Sequence, residues 1–253
     1  MLSLGIDSGS TTTKGVLFDG TQIVETLMVP TTAKPKESLE TVYRTLSQNE
    51  VEYTVSTGYG RGLLQQADKK ITEITCHARG AAWLDPSIRV VIDIGGQDCK
   101  AILLNERQHV ADFLMNDKCA AGTGRFIEMM MHTLNAPLDS IDTFVEGKKP
   151  ASISSMCTVF AESEIVSLLA EGEDAGNIAL GMIHAICRRT AFFAQKMNLE
   201  GKVFFTGGLA KFEIFRKTLE EYLKLEVRTH SLAQYAGAIG AAVIAGEKFQ
   251  VRQ

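Results

Sequence analysis

One strand–turn–strand pattern occurs twice in this chain of 253 residues, in the same register each time. The first copy reads LGIDSGSTTTKGVLFD and the second reads VVIDIGGQDCKAILLN. Each has an aspartate after apolar residues, a glycine two positions later and a lysine seven positions after the aspartate, at Asp7, Gly9 and Lys14 and again at Asp93, Gly95 and Lys100. Because separate hairpins would share this register only by coincidence, the repeat predicts two duplicated domains.

The order of the predicted elements indicates an α/β fold, since strands are mixed with covering helices. The first half contains β-hairpins, and the second half contains strands at 88–94 and 99–104. Helices are predicted at about 36–48, 61–69, 121–134, 158–171, 175–197 and 212–223, and the Ala/Gly-rich run 233–248 is predicted to pack closely as a helix. The domain boundary is predicted near Asp85-Pro86, giving domains 1–87 and 88–253, with a C-terminal helix that could pack back on the first domain.

The chemistry expected of such a hairpin is phosphate binding. Its tight turn exposes backbone N–H groups, and glycine lets a phosphate approach the backbone. Two carboxylates at strand ends, Asp7 and Asp93, could face each other across a cleft and hold a hydrated magnesium ion. Additional donors in the first turn are the hydroxyls of Ser10, Thr11, Thr12 and Thr13. The alternative is a pair of ordinary hairpins with aspartate in their turns.

Other glycine-rich segments give weaker signals. No G-x-x-x-x-G-K-[ST] sequence is present, which excludes a P-loop. The segment 57–62, TGYGRG, is interpreted as a turn after a strand. The apolar segment 203–209 ends in Gly207-Gly208, against which a nucleotide could lie because no Cβ blocks its approach. A plain strand–turn–helix connection explains that segment equally well.

Composition narrows the possible partners and the compartment. A net charge of −4 gives no reason to expect nucleic acid as a partner. The N-terminal segment enters a strand pattern without the features of a signal peptide. No stretch approaches the roughly 18 apolar residues that a membrane span needs. We therefore expect a cytoplasmic protein with no nucleic-acid partner and no membrane segment.

The five cysteines suggest a metal or redox role for two of them. An odd number in a reducing compartment argues against a disulfide framework. Cys119 and Cys157 each lie just ahead of a predicted helix, where the helix dipole favours a thiolate. Two ligands per chain could complete a four-iron cluster if two identical chains shared it, but burial as small residues remains an alternative. Cys76 and Cys187 are interpreted as core helix residues, and Cys99 as a packed residue of the second hairpin.

Seven segments together resemble one family: GIDSGSTTTKG, TGYGR, VIDIGGQD, MNDKCAAGTGRFIE, SSMCTVFAESE, TGGLA and LAQYAGAIGAA. The chain resembles the activator components of 2-hydroxyacyl-CoA dehydratases and the related benzoyl-CoA reductase ATPase subunits, in the BadF/BadG/BcrA/BcrD ATPase family. The resemblance covers nearly the whole chain, in order. It implies an actin–hexokinase-like ATPase fold, with two duplicated α/β domains and a nucleotide cleft between them.

The resemblance also implies cofactors and site residues. A homodimer would hold one 4Fe-4S cluster through Cys119 and Cys157 of each chain, and ATP or ADP would bind with Mg2+. The first phosphate loop would be Ser10, Thr11, Thr12, Thr13 and Lys14, and the second would be Asp93, Gly95, Gly96, Gln97 and Asp98. Gly207 and Gly208 match the adenosine-side turn, and Gln234 falls in a segment that borders the nucleotide. Gln97 is the candidate for orienting the attacking water, with Asp7 and Asp93 acting through magnesium.

The function implied is ATP-dependent donation of one electron. Ferredoxin or flavodoxin would reduce the cluster, and the client would be a dehydratase or reductase with its own iron–sulfur centre. The second hypothesis is a sugar kinase of the same fold, with Asp98 or Asp117 as general base. A third is a non-enzymatic, actin-like assembly protein. Only the first gives Cys119 and Cys157 a role.

Overall fold

The computed structural model describes residues 2–48, 50–116, 123–153 and 158–250, without the side chains of 158–160, 249 and 250. The strands are β1 Leu2–Ser8, β2 Thr12–Phe18, β3 Ile23–Pro30, β4 Val51–Gly58, β5 Lys69–Lys70, β6 Ile88–Ile94, β7 Cys99–Leu104, β8 Val110–Asn116, β9 Lys202–Gly207 and β10 Val227–Arg228. The helices are α1 Pro35–Leu46, α2 Glu73–Leu84, α3 Gly124–Thr133, α4 Ile141–Phe144, α5 Thr158–Ala170, α6 Ala175–Ala194, α7 Glu213–Leu223 and α8 Ala236–Gln250.

Within the described residues, the strands form two five-stranded sheets with the same strand order. The first sheet runs β3-β2-β1-β4-β5, and the second, counted from its other end, runs β8-β7-β6-β9-β10. In the first sheet, β1 pairs antiparallel with β2 and parallel with β4. Each sheet therefore has one copy of the repeated hairpin, β1–β2 or β6–β7, at its centre. The predicted α/β class is confirmed.

The chain divides into two compact units, and neither is continuous in sequence. The first comprises Met1–Val91, Ile102–Phe113 and His230–Gln253, and the second comprises Ile92–Ala101 and Leu114–Thr229. The C-terminal helix α8 lies in the first unit, where it packs on β1, β2, β4 and α2. The continuous domains 1–87 and 88–253 stay a prediction.

In the first unit, helix α1 covers one face of the sheet. Its buried positions Leu39, Val42 and Leu46 recur at helical spacing and pack against Leu4 and Ile6 of β1. Alternate residues of a strand point to opposite faces, so the residue between those two, Gly5, points to the other face. That face is covered by α8.

Helix α8 approaches both the sheet and α2 closely because small residues line its contacts. A Cβ on Gly5 would overlap the carbonyl oxygen of Ala238, and a Cβ on Gly80 of α2 would overlap that of Ala236. The composition of the run 233–248 follows from this close packing, since larger side chains would separate the elements. A 3-10 turn, Ala233–Tyr235, leads into the helix.

The helix predicted at 61–69 is wrong. The chain turns there instead, and Lys69–Lys70 pair as β5 with β4. The Gly60 N–H donates to the carbonyl of Ser8 at 3.1 Å. This bond fixes the start of the loop to the end of β1, and the Thr54 N–H of β4 donates to Asp68 Oδ2 at 2.8 Å near the end of the loop.

The other predicted helices are confirmed wherever the structure describes them, and two described helices, α2 and the short α4, lie outside every predicted range. Helix α2 begins after Thr72, whose side-chain oxygen accepts a hydrogen bond from the Thr75 N–H. Among the residues described, no helix is both long and apolar enough to cross a bilayer.

Candidate functional site

The turn of the first hairpin is closed by hydrogen bonds. The Gly9 N–H donates to the Thr12 carbonyl at 3.1 Å. Thr13 is fully buried, and its hydroxyl lies 2.9 Å from that of Thr31, which donates to the Gly9 carbonyl at 2.9 Å. The Thr13 hydroxyl therefore braces the turn from inside. The remaining predicted hydroxyls are half-buried or exposed, at Ser10, Thr11 and Thr12.

Asp7, in β1, is held by three other elements of the first unit. It is 5% exposed, and its Oδ2 lies 3.8 Å from Nε2 of His77 on α2. A Cβ on Gly58 of β4 would overlap Asp7 Oδ1, and a Cβ on Gly237 of α8 would overlap Oδ2. Gly58 has φ +84°, which favours glycine. The carboxylate is thus fixed by close packing on both sides.

Asp93, the equivalent residue of the second hairpin, has two hydrogen-bond donors. Its Oδ2 accepts from Lys100 Nζ at 3.1 Å, and its Oδ1 accepts from the Thr206 hydroxyl at 2.8 Å. Lys100 Nζ also lies 2.7 Å from Asp98 Oδ2. Asp93 and Lys100 are each 2% exposed, so this ion pair lies in the interior.

The two lysines of the repeat therefore have different surroundings. Lys14 lies opposite Asp7 in the β1–β2 register and is half-buried. Lys100 is enclosed with the carboxylates of Asp93 and Asp98. The charge of Lys100 already neutralises the buried carboxylate of Asp93 and the half-buried carboxylate of Asp98, so it is not available to a phosphate. Lys14 retains access to solvent.

The loop of the second hairpin is bonded to the start of α3. The Gly95 N–H donates to the Asp98 carbonyl at 2.9 Å, which closes the turn. The Gly124 N–H then donates to the Gly95 carbonyl at 2.8 Å, and the Arg125 N–H donates to the Gly96 carbonyl at 3.2 Å. The first N–H groups of a helix have no hydrogen-bond acceptor within the helix. Here the Gly95 and Gly96 carbonyls of the loop accept from them. Gln97, at the tip of this loop, is exposed.

The Gly207-Gly208 segment ends β9 and begins a 3-10 turn, Gly208–Lys211. Gly207 has φ +96° and ψ −179°, a conformation essentially restricted to glycine. A Cβ there would also overlap the carbonyl oxygen of Ile94. In the first unit, Gln234 is half-buried in the turn that precedes α8.

Replacing Gly207 with alanine should destabilise the fold through both backbone strain and this overlap. We expect the free energy of unfolding to fall by about 3 kcal/mol or more in urea titration. The control is Gly20→Ala, because Gly20 has φ +100° but nothing within 4 Å of its Cβ position. Strain alone should cost about 1–2 kcal/mol there. Equal losses in the two variants would contradict the importance of the Ile94 contact.

Three of the five cysteines are buried and unsuited to bind a metal as thiolates. Burial raises the pKa of Cys76 and of Cys99 to about 12 each, and raises the pKa of Cys187 well above its usual value. These thiols stay protonated at neutral pH. The predicted ligands Cys119 and Cys157 lie outside the described residues, which themselves contain no group of three or more side chains suited to a metal.

Sequence reasoning missed a second repeated signal. Thr57-Gly58 ends β4 and Thr206-Gly207 ends β9, the equivalent strand of the other sheet. Both glycines have positive φ, and each lies against the strand that carries the aspartate. Aligning the strand that follows each hairpin would have found this pair. His77 gave no such signal, because its contact with Asp7 depends on how α2 packs.

Comparisons with known proteins identify the family of this chain. The model of the BadF/BadG/BcrA/BcrD ATPase family matches residues 4–245. The activator of lactoyl-CoA dehydratase from Anaerotignum propionicum is 43% identical to this chain and covers 99% of each protein.

Two solved structures are similar over the whole chain. Component A of the Acidaminococcus fermentans (R)-2-hydroxyglutaryl-CoA dehydratase is 40% identical with a TM-score of 0.91, over 98% of each chain. The activator of the 2-hydroxyisocaproyl-CoA dehydratase from Clostridium difficile, with bound ADPNP, is 35% identical with a TM-score of 0.93, over 100% of this chain and 97% of that one. The fold is the actin-like ATPase fold, which ROK-family kinases share at the level of fold alone. The chain belongs to the BadF/BadG/BcrA/BcrD ATPase family.

Proposed function

We propose that this chain is an ATP-dependent one-electron donor that activates a 2-hydroxyacyl-CoA dehydratase or a related reductase. The observation that carries the proposal is the pair of hydrogen bonds from Gly124 and Arg125 to the second hairpin loop. Helix α3 begins shortly after Cys119, so a nucleotide at the loop and a cluster at that cysteine would act on one connected stretch of chain. The similarity to dehydratase activators supports the same function.

Several features of the hairpins fit a nucleotide. Gly95 and Gly207 carry no side chain, so a phosphate could approach the backbone at both turns. Lys14 would contribute positive charge. The nucleotide would contact Ser10, Thr11, Thr12 and Lys14, then Gly95, Gly96 and Asp98, and then Gly207, Gly208 and Gln234. The predicted contact of Thr13 is replaced by a supporting role, because this residue is fully buried and bonded to Thr31 inside the turn.

The catalytic roles follow from charge and exposure. Asp7 and Asp93 would hold Mg2+ through its water ligands, since carboxylates suit a hydrated magnesium ion. Asp93 is fixed by Lys100 and Thr206, and Asp7 is fixed by packing. Gln97 is exposed at the loop tip, so its amide is free to orient the water that attacks the terminal phosphate.

The cluster would be held by Cys119 and Cys157 of each of two chains. Iron–sulfur ligands are thiolates. Cys76, Cys99 and Cys187 are buried in the fold, and the resemblance to dehydratase activators implies the other two as ligands. When bound, such a cluster accepts one electron and passes it on. In this chain, the start of α3 would transmit the nucleotide state toward Cys119 through its bonds to the Gly95 and Gly96 carbonyls.

The partners follow from this chemistry. Ferredoxin or flavodoxin would supply the electron, and a dehydratase or reductase with its own iron–sulfur centre would receive it. ATP and ADP would have to differ in their contacts with the second hairpin loop, since a ligand shifts an equilibrium only by its differential affinity. A reducing compartment, the cytoplasm, suits both the cluster and the three free thiols.

The kinase hypothesis is not favoured. Among the similar proteins whose role is named, those at 43% and 35% identity are dehydratase activators. One of the two proposed bases, Asp98, is 2.7 Å from Lys100 and is engaged as its counter-ion. The other, Asp117, lies outside the described residues. The assembly hypothesis leaves the cysteines unexplained.

Iron analysis of anaerobically purified and reconstituted protein tests the proposal. A four-iron cluster shared by two chains gives about two irons and about two sulfides per chain, and a brown colour. ATP hydrolysis is measured on the same sample. Iron near zero would refute the shared cluster. A monomer that retains a full cluster would refute the sharing, and hydrolysis no faster than a blank would refute the ATPase.

A further inference from the structure

We propose that His77 is the positioning residue of Asp7 and holds its carboxylate in place for a hydrated magnesium ion, an inference that rests on the proposed function. His77 lies on α2 and is 8% exposed, and the proposed mechanism gives it no role. Its Nε2 lies 3.8 Å from Asp7 Oδ2. Because burial of a polar ring is costly, an imidazole that faces a carboxylate in the interior indicates more than the filling of space.

The packing of α2 against α8 fixes the position of the imidazole. A Cβ on Gly240 of α8 would overlap the carbonyl oxygen of Cys76, the residue before His77. A Cβ on Gly237 would lie 3.0 Å from His77 Nε2 and would overlap Asp7 Oδ2. The ring and the carboxylate therefore meet against the same point of α8, in a region with little room for either to shift.

The start of α8 favours the ionised form of the Asp7 carboxylate. Gly237 is the second residue of that helix, and the N–H groups of a first turn form the positive end of the helix dipole. Gly58 of β4 limits Oδ1 and Gly237 limits Oδ2. Removal of the imidazole of His77 would open a space beside Oδ2, into which the carboxylate could turn.

The two aspartates of the repeat are held by different chemistry. Asp93 is paired with Lys100, whose positive charge offsets that of the carboxylate. A neutral imidazole can orient a carboxylate through a ring N–H and leave its negative charge intact. That arrangement suits a carboxylate that attracts a cation. The separation of 3.8 Å between His77 and Asp7 exceeds a hydrogen bond by about 1 Å, so a small movement would complete the bond.

The effect of His77 is expected on magnesium rather than on the nucleotide. Side chains that orient a metal-binding carboxylate influence metal affinity without touching the metal, and their loss typically costs about 10–100-fold. His77 is absent from the nucleotide contacts proposed above. Affinity for the nucleotide without Mg2+ should therefore not depend on it.

The test measures binding of ADPNP, a non-hydrolysable ATP analogue, to the anaerobically reconstituted full chain by calorimetry. The pH is about 8, where an ordinary imidazole is neutral. In His77→Ala, the Mg2+ concentration for half-maximal binding should rise about 10–100-fold, while ADPNP affinity in EDTA stays at the wild-type value. His77→Gln keeps a side-chain N–H and should recover part of the Mg2+ affinity. His184→Ala is the matched control, because His184 is half-buried against Tyr222 in the second unit and should leave the Mg2+ requirement unchanged.

A double-variant cycle separates positioning from general packing. Asp7→Ala should itself weaken Mg2+ binding, and Asp7→Ala/His77→Ala should be no weaker than Asp7→Ala alone, because His77 acts through that carboxylate. Losses that add independently would overturn the inference. An unchanged Mg2+ requirement in His77→Ala, or an equal loss of ADPNP affinity with and without Mg2+, would also overturn it. If His77→Ala does not fold, His77→Phe keeps a ring without its N–H and is measured in its place, with the same outcomes.

The wild type separates this inference from the proposed function. If it fails to bind ADPNP, or binds it equally well with and without Mg2+, the nucleotide site of the proposed function is refuted, and the inference with it. If the wild type requires Mg2+ and the His77 variants give any of the contrary results above, the inference alone is refuted.

Discussion

Cys157→Ala should lose nearly all bound iron while it still binds ATP. The proposed function gives each chain two ligands, so the variant leaves a shared cluster with two of its four thiolates. Iron should fall from about two atoms per chain to near zero, and electron transfer to a client should fall below detection. The nucleotide-binding residues proposed above do not include Cys157, so ATP affinity, measured by calorimetry, should change little.

Cys187→Ala is the matched control for that experiment. Cys187 is fully buried on α6, and burial raises the pKa of its thiol well above the usual value. It should therefore keep its iron, with at most a modest loss of stability from the missing sulfur atom. Wild-type iron in Cys157→Ala would disprove the ligand assignment, and iron loss in both variants would point to a general folding defect.

Lys100→Ala should destabilise the fold by about 3–5 kcal/mol, because it leaves the buried carboxylate of Asp93 without this cation. Asp93 would keep the hydrogen bond from the Thr206 hydroxyl, and Asp98 would lose a contact of 2.7 Å. Urea unfolding at neutral pH measures the loss. A change below about 1 kcal/mol would contradict the structural role of Lys100.

Lys14→Ala, at the equivalent position of the first hairpin, is the matched comparison. Lys14 is half-buried, so its removal should cost much less stability than removal of Lys100. ATP hydrolysis should instead fall by about 100-fold, since the variant loses a charge proposed to stabilise the phosphates. If Lys14→Ala hydrolyses ATP at the wild-type rate, the assignment of the first phosphate hairpin is wrong.

The repeated sequence pattern predicted the two central hairpins because their geometry is local. A strand, a glycine turn and a second strand are specified by neighbouring residues, and both hairpins lie at the centres of their sheets. The range 61–69 failed for the opposite reason. A helix was expected there, but Asp68 is bonded to Thr54 and the preceding Gly60 to Ser8, both residues distant in sequence. Tertiary contacts override local preference in such segments.

The candidate site was only partly predictable. The sequence pattern treats Lys14 and Lys100 alike, yet one is half-buried and the other is 2% exposed between two carboxylates. Burial depends on which elements cover a position, and a hairpin pattern does not contain that information. The contact between Asp7 and His77 was unpredictable for the same reason, since it depends on how α2 packs beside β1.

The two bonds between the second hairpin loop and α3 also set an energy scale for switching. Each backbone hydrogen bond contributes about 0.5–1.5 kcal/mol net, so releasing both costs about 2 kcal/mol. That amount corresponds to a population ratio of about 30 between attached and released forms. A single hydrogen bond gained from the terminal phosphate of ATP and lost with ADP would be enough to move such an equilibrium by several-fold. Under the proposed function, one such contact would therefore loosen the attachment of α3 at Gly95 and Gly96 several-fold while the attached form stays the more populated one.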